Sequence, residues 1–372
     1  MSEPVKKNSY LNEITIKGFK SIRTLERFPL RALNLLIGAN GAGKSNFIKA
    51  LTLNNTIVDK KLQLWIGREG GVDDILHFGQ KITPELQIHW HYGHLTERFH
   101  YQCTLIPAQN ESLIFAQEAG SCQKHEQSET FSIEGGHRES YLEQKAQHDS
   151  VAQCVLNPLK NWRVFLYHFH DTTTTAKMRQ LCDLHDNVFF RPDASNLAAF
   201  LYLLKNRYPR HYQNIVEVVR LVAPFFDDFR LQPSRLNPEK IQLEWQHVGS
   251  ERYFNAHSFS DGTLRFICLA TLLLQPELPA TILLDEPELG LHPYAISILA
   301  EMMHSAATQT QIIAASQSVT LVNQFQLEDI IIIEREDEAS RIKRLSHEEL
   351  NHWLDDYALG ELWEKNVLGG RP

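Results

Sequence analysis

Apolar positions along the chain fall into three patterns, and each predicts a different kind of element. Short continuous runs, Leu33 to Ile37, Thr281 to Leu284 and Gln311 to Ala315, read as strands buried on both faces. Strict alternation marks half-exposed antiparallel strands: Ile14, Ile16 and Phe19 near the start, then Leu86, Ile88, Trp90 and Tyr92, then Phe99, Tyr101 and Cys103. A further strand at Leu113 to Phe115 extends that sheet. Leu62 to Ile66 and the glycine-containing stretch up to Gly79 read as an irregular connection. Helical spacing governs Val151 to about Phe226, for example Leu197, Phe200, Leu201 and Leu204, and returns in the apolar helix Leu264 to Leu274. Two more strands are expected across 229–247. No heptad is sustained and no period of about 20 to 50 residues repeats, which excludes a long coiled coil and a solenoid.

These patterns predict an α/β protein: a mixed sheet, an antiparallel β subdomain and a compact helical insert. The expected organisation is an N-terminal lobe over 1–116, a polar surface loop over 117–150, the helical insert over 151–228 and a C-terminal lobe over 229–372. The 117–150 stretch is assigned to a loop because Gln, Glu, Ser and His dominate it, with room for one strand around Phe131 and Ile133.

Composition narrows the function classes. With 372 residues, 43% of them hydrophobic, the chain can build one large core or two ordinary ones. No run approaches the roughly 18 apolar residues that span a membrane, and Met1 to Asn8 lacks an apolar signal core. The five cysteines are scattered and never form C-x-x-C, which fits a cytoplasmic protein and argues against a disulfide framework. A net charge of -8 gives no global attraction to nucleic acid, so any such contact needs a local patch. Lys205, Arg207, Arg210, Arg220, Arg230 and Arg235 are the candidates, and a solvated helix face is the simpler account of them.

The chemistry begins at Gly38-Ala39-Asn40-Gly41-Ala42-Gly43-Lys44-Ser45, which fits G-x-x-x-x-G-K-[ST] between a strand and a helix. Its glycines let backbone N–H groups converge on phosphate at a helix N-terminus. Lys44 is expected on the β and γ phosphates, and the Ser45 hydroxyl on Mg²⁺. The strand Thr281 to Leu284 runs into Asp285-Glu286-Pro287-Glu288. A carboxylate at such a strand end suits Mg²⁺, which assigns Asp285 to the metal, and Glu286 is then placed to activate water. Upstream, Ser258-Phe259-Ser260-Asp261-Gly262-Thr263 opens the apolar helix, with Ser260 as its N-cap.

In this order the motifs resemble those of ABC-type ATPases of the RecF/SMC-like group, in particular the compact bacterial "AAA family" ATPases. The resemblance rests on Ile16-Lys17-Gly18-Phe19-Lys20-Ser21, Gly38 to Ser45, Phe259 to Thr263, and Leu284-Asp285-Glu286-Pro287-Glu288-Leu289-Gly290-Leu291-His292-Pro293. It covers the two flanking lobes and leaves the insert unassigned. It implies a P-loop ABC-type head that pairs with a second copy, sandwiching two ATP molecules. Each phosphate loop then faces Ser260 and Gly262 of the other protomer, and Glu288 to Pro293 communicates between the sites.

Two positions depart from that pattern. Asp261 sets a negative charge in the signature segment, a form familiar in the RecF-like branch and foreign to transporters. Gln317, in Ala315-Ser316-Gln317-Ser318, stands where relatives carry a γ-phosphate-sensing histidine; it donates a hydrogen bond but carries no proton, which implies slow turnover. The resemblance further implies an effector protein, a nuclease or toxin encoded nearby and used in anti-phage defence; a RecF-like role in DNA repair is the alternative. Of the 18 histidines, His89, His91 and His94, and His168 with His170, lack partners that would complete a metal site, so Mg²⁺ is the one metal expected.

Overall fold

Strand β3 (Leu33–Ile37) is buried at every position because it separates two hydrophobic cores. Leu33, Leu35 and Ile37 point into one core, and Leu36 points into the other. The computed structural model describes residues 10–94, 97–124, 127–162, 164–350, 353 and 356–371. Apart from β3, the central sheet contains β8 (Val164–Tyr167), β9 (Thr281–Asp285), β10 (Gln311–Ser316), β11 (Ile330–Glu336) and β12 (Ala339–Lys343). Their order is β12-β11-β3-β10-β9-β8, parallel throughout except for the β11–β12 hairpin. Burial on both faces is why these strands read as unbroken apolar runs.

One face of this sheet carries α1 (Lys44–Val58) and an antiparallel sheet. That sheet comprises β1 (Leu11–Phe19), β2 (Ile22–Pro29), β4 (Leu86–His94), β5 (Glu97–Ala108), β6 (Ser112–Lys124) and β7 (Gln127–Glu134), in the order β2-β1-β4-β5-β6-β7. Trp90, Tyr92, Tyr101 and Phe115 fill the space beneath it. The other face carries α3 (Leu197–Arg207), α4 (Pro209–Val222), α5 (Asp261–Leu274) and α6 (Pro293–Ala307). Helix α5 is buried on every side from Leu264 to Leu273, which explains its lack of a polar stripe.

Four expectations need correction. Residues 117–124 and 127–134 are not a polar loop: they belong to β6 and β7, in register from Gln117↔Glu134 to Lys124↔Gln127. The inward positions of β6 here are Glu118, Gly120 and Cys122, so a buried strand face carries no apolar signal. Buried Glu118 is held by Tyr101 Oη at 2.6 Å, Ser140 Oγ and the Tyr141 N–H at 3.1 Å. The insert is not helical throughout either. Its first helix, α2 (Ser150–Asn161), packs on β6, and β8 then forms the edge of the central sheet. Short helices Leu62–Arg68 and Val72–Ile75 replace the irregular connection. Finally, Cys122 on β6 and Cys154 on α2 are joined as a disulfide, with Cα atoms 6.3 Å apart. Their proximity comes from the packing of α2, which cysteine spacing does not report.

The expected strands near 229–247 are found as Phe226–Arg230 and Glu244–His247, with Tyr253–Asn255 completing a three-stranded sheet. Several of the candidate basic residues are engaged within the chain. Lys205 pairs with Asp228 at 2.9 Å, Arg220 with Asp227 at 3.0 Å, and Arg230 lies 3.7 Å above the Tyr253 ring. No helix among the described residues is long and apolar enough to cross a membrane.

Candidate nucleotide site

The phosphate loop leaves β3 at the C-terminal edge of the central sheet and enters α1 at Lys44. Gly43 caps that helix with φ +115°, and a Cβ there would fall 2.0 Å from Ser340 Oγ, so only glycine fits. Ser340 Oγ also donates to the Ala42 carbonyl at 2.5 Å and accepts from the Ser21 hydroxyl at 2.7 Å. Asn46 donates to the same Ser21 hydroxyl at 2.7 Å. The early Gly18 to Ile22 motif is thereby explained: the turn between β1 and β2 buttresses the loop.

Lys44 is 7% exposed, and its ammonium donates to the carbonyls of Gly38 (2.6 Å) and Ala39 (3.1 Å). Burial lowers its pKa, while Glu286, Asp285 and Glu288 oppose that shift. Asp285 ends β9, and burial holds its carboxyl above the usual range despite nearby His168 and Lys44. Glu286 has φ +43°, and its N–H donates to the Ala315 carbonyl at 2.8 Å. Its carboxylate accepts from the Gln317 side-chain amide. Glu288 turns inward and is 7% exposed; Ser316 Oγ (2.5 Å) and the Gln317 N–H (3.2 Å) both donate to it. Burial raises its pKa.

Phosphate-loop residues together with His170, Asp285, Glu286 and Gln317 line one cavity of about 360 Å³. The structure therefore gathers Ala39, Asn40, Gly41, Gly43, Lys44, Ser45, Asp285, Glu286 and Gln317. Ser260 and Gly262 do not line it. Ser260 caps α5, accepting from the Thr263 N–H at 3.1 Å, and is exposed. A Cβ on Gly262 would sit 2.4 Å from the Gly290 carbonyl, so a glycine is required for α5 to pack on the loop that follows β9. The residues fit the implied groups: a glycine-rich loop at a helix N-terminus and the Lys44 ammonium suit phosphate, and the Ser45 hydroxyl with the Asp285 carboxylate suits a hard divalent cation.

Three residues escaped sequence reasoning. His170 Nε2–H donates to the Asp285 carbonyl at 2.7 Å, which faces the ring onto the cavity. Its signal is its place just beyond β8, parallel to β9, within a stretch whose spacing otherwise reads as helical. Arg265 on α5 donates to the carbonyls of Phe169 (3.0 Å), His170 (3.3 Å) and Leu289, tying three segments of the site together. Arg179 binds the start of α5 in a similar way. Among the described residues no group of three His, Cys, Asp or Glu is placed to hold a metal.

Comparison with known proteins agrees with this geometry. Residues 167–323 match the family model described as "AAA domain, putative AbiEii toxin, Type IV TA system". A solved Smc head bound to the C-winged helix domain of ScpA shares the fold at 15% identity and TM-score 0.58, covering 92% of this chain and 99% of that one. An Smc head with an extended coiled coil, bound to the C-terminal domain of ScpA and derived from Pyrococcus furiosus, gives 15% identity and TM-score 0.55. It covers 94% of this chain and 99% of that one. A search of curated proteins finds no match in sequence. Fold and site together are those of a P-loop head resembling the ABC/SMC-like ATPases. Within that class this is a compact form: α3, α4 and the small three-stranded sheet follow β8, with no long coiled coil among the described residues.

Proposed function

We propose that this chain binds ATP with Mg²⁺, dimerises head to head on it, hydrolyses it slowly and thereby switches a separate effector protein. One observation carries the reading. The cavity holds Lys44, Ser45, Asp285, Glu286 and Gln317, while Ser260 and Gly262 of the same chain stand outside it. A second copy would supply those two residues. In that arrangement Lys44 and the loop N–H groups bind the phosphates, Ser45 and Asp285 hold the cation, and Glu286 orients the attacking water. Mg²⁺ would offset phosphate charge when bound. Gln317 cannot take up a proton and already occupies the Glu286 carboxylate, which favours slow turnover.

The family description, which names a putative AbiEii toxin and a Type IV TA system, supports a place in a system with a partner encoded nearby. A DNA-repair role finds less support, because Lys205, Arg220 and Arg230 already have partners within the chain. The test is Glu286→Gln with ATP, followed by light scattering. A stable dimer is expected, and a monomer with bound ATP would refute the composite site. Co-purification with the neighbouring gene product tests the effector separately.

A further inference from the structure

Asp261 poses an electrostatic problem for the head-to-head reading. As the first residue of α5, next to Ser260, it adds a full negative charge where a partner's triphosphate would arrive. Its side chain is 67% exposed.

The answer lies in Arg179, in the short turn Lys177–Arg179 of the insert. This guanidinium is 5% exposed and pairs with Asp261 Oδ1 at 2.8 Å. Its other donors go to backbone carbonyls: Thr172 at 3.0 Å, Ala256, and Phe259 at 3.4 Å. Gln242 in turn holds the Arg179 carbonyl at 3.2 Å. Asp261 is the one carboxylate paired with this buried cation among the described residues. A buried guanidinium needs a counter-charge, and its hydrogen bonds to backbone carbonyls fix the direction in which it offers its charge. Thr172 lies two residues beyond His170, which lines the nucleotide cavity. Arg179 thus ties the chain leaving one nucleotide cavity to the helix start that would complete another.

We propose that Arg179 is a positioning residue for the nucleotide held by the partner protomer. It draws the Asp261 carboxylate onto itself and cancels its charge, leaving Ser260 and the first turn of α5 able to meet phosphate. This rests on the head-to-head reading. It also assigns the insert a task within the site, because the turn that carries Arg179 belongs to it.

The test uses the full chain in the Glu286→Gln background, with ATP-driven dimerisation followed by light scattering and nucleotide binding followed separately in dilute protein. Arg179→Gln should raise the ATP needed for half-dimerisation roughly tenfold while leaving each protomer's own nucleotide affinity within about threefold. Adding Asp261→Asn should restore dimerisation, since the unpaired charge is then gone; a purely structural role for Arg179 would not be rescued this way. Equal dimerisation by Arg179→Gln, or no rescue by Asp261→Asn, would overturn the inference. A Glu286→Gln parent that stays monomeric in ATP overturns the head-to-head reading and this inference with it.

Discussion

The side-chain amide of Gln317 donates to the carboxylate of Glu286, joining the end of β10 to the end of β9 across the nucleotide cavity. An amide in that position orients the carboxylate but neither accepts nor releases a proton. Gln317→His should therefore hydrolyse ATP faster, by about tenfold or more if a proton relay is restored. Phosphate release at saturating ATP is the measurement. Unchanged or lower turnover would show that the amide is not what limits the reaction.

Lys44→Ala removes an ammonium that presently bridges the Gly38 and Ala39 carbonyls. Both the phosphate contact and the shape of the loop should be lost. Calorimetric titration with ATP should show affinity falling by at least about 10- to 100-fold, the worth of one charge-assisted hydrogen bond. Affinity retained near the parent's would displace the site from this loop.

Gly262→Ala tests why α5 begins as it does. The added methyl would lie 2.4 Å from the Gly290 carbonyl, and backbone cannot yield as a flexible side chain can. A loss of about 1–3 kcal/mol in denaturant unfolding is expected. No loss would mean that the loop after β9 is free to shift.

Acid should weaken the fold through the outer face of the antiparallel sheet. His100 pairs across from His91, and burial, then His91, His89 and Arg27, push its pKa from 6.5 down to about 4. His89 and His91 are lowered in the same direction, chiefly by burial. These rings stay neutral in the folded chain while the unfolded chain takes up protons. Their contribution to stability is thus whole above about pH 6.5 and falls as pH drops, levelling for His100 below about 4. Denaturation midpoints at pH 7 and pH 5 should differ less in His100→Gln than in the parent. An equal difference would remove His100 from the account.

What the sequence discloses depends on whether a buried position must be apolar. β3, β9 and β10 face greasy layers on both sides, so Leu33 to Ile37 and Thr281 to Leu284 declare themselves, and the loops at their ends follow. β6 hides because its inward positions past Phe115 are Glu118, Gly120 and Cys122. Tyr101, Ser140 and Tyr141 satisfy Glu118, and none of them is near it in sequence. The site divides the same way. Lys44, Ser45, Asp285 and Glu286 sit in spaced motifs that carry their own context. His170, Arg179 and Arg265 act through carbonyls contributed by other segments, and no spacing rule reports such partners.

One consequence of the central sheet concerns how the chain is made. β3 emerges early, yet its neighbours on both edges, β10 and β11, are encoded some way beyond residue 310. The tail that braces β11, with Gly370 N–H on Glu334 at 2.8 Å and Trp363 on the Gly370 carbonyl at 2.7 Å, comes later still. At about 5–20 residues per second, β3 waits roughly 15–55 s on the ribosome with both edges unpaired. During that interval the strand that will carry the nucleotide loop is also an exposed apolar edge, so the nascent chain depends on shielding until its last strands arrive.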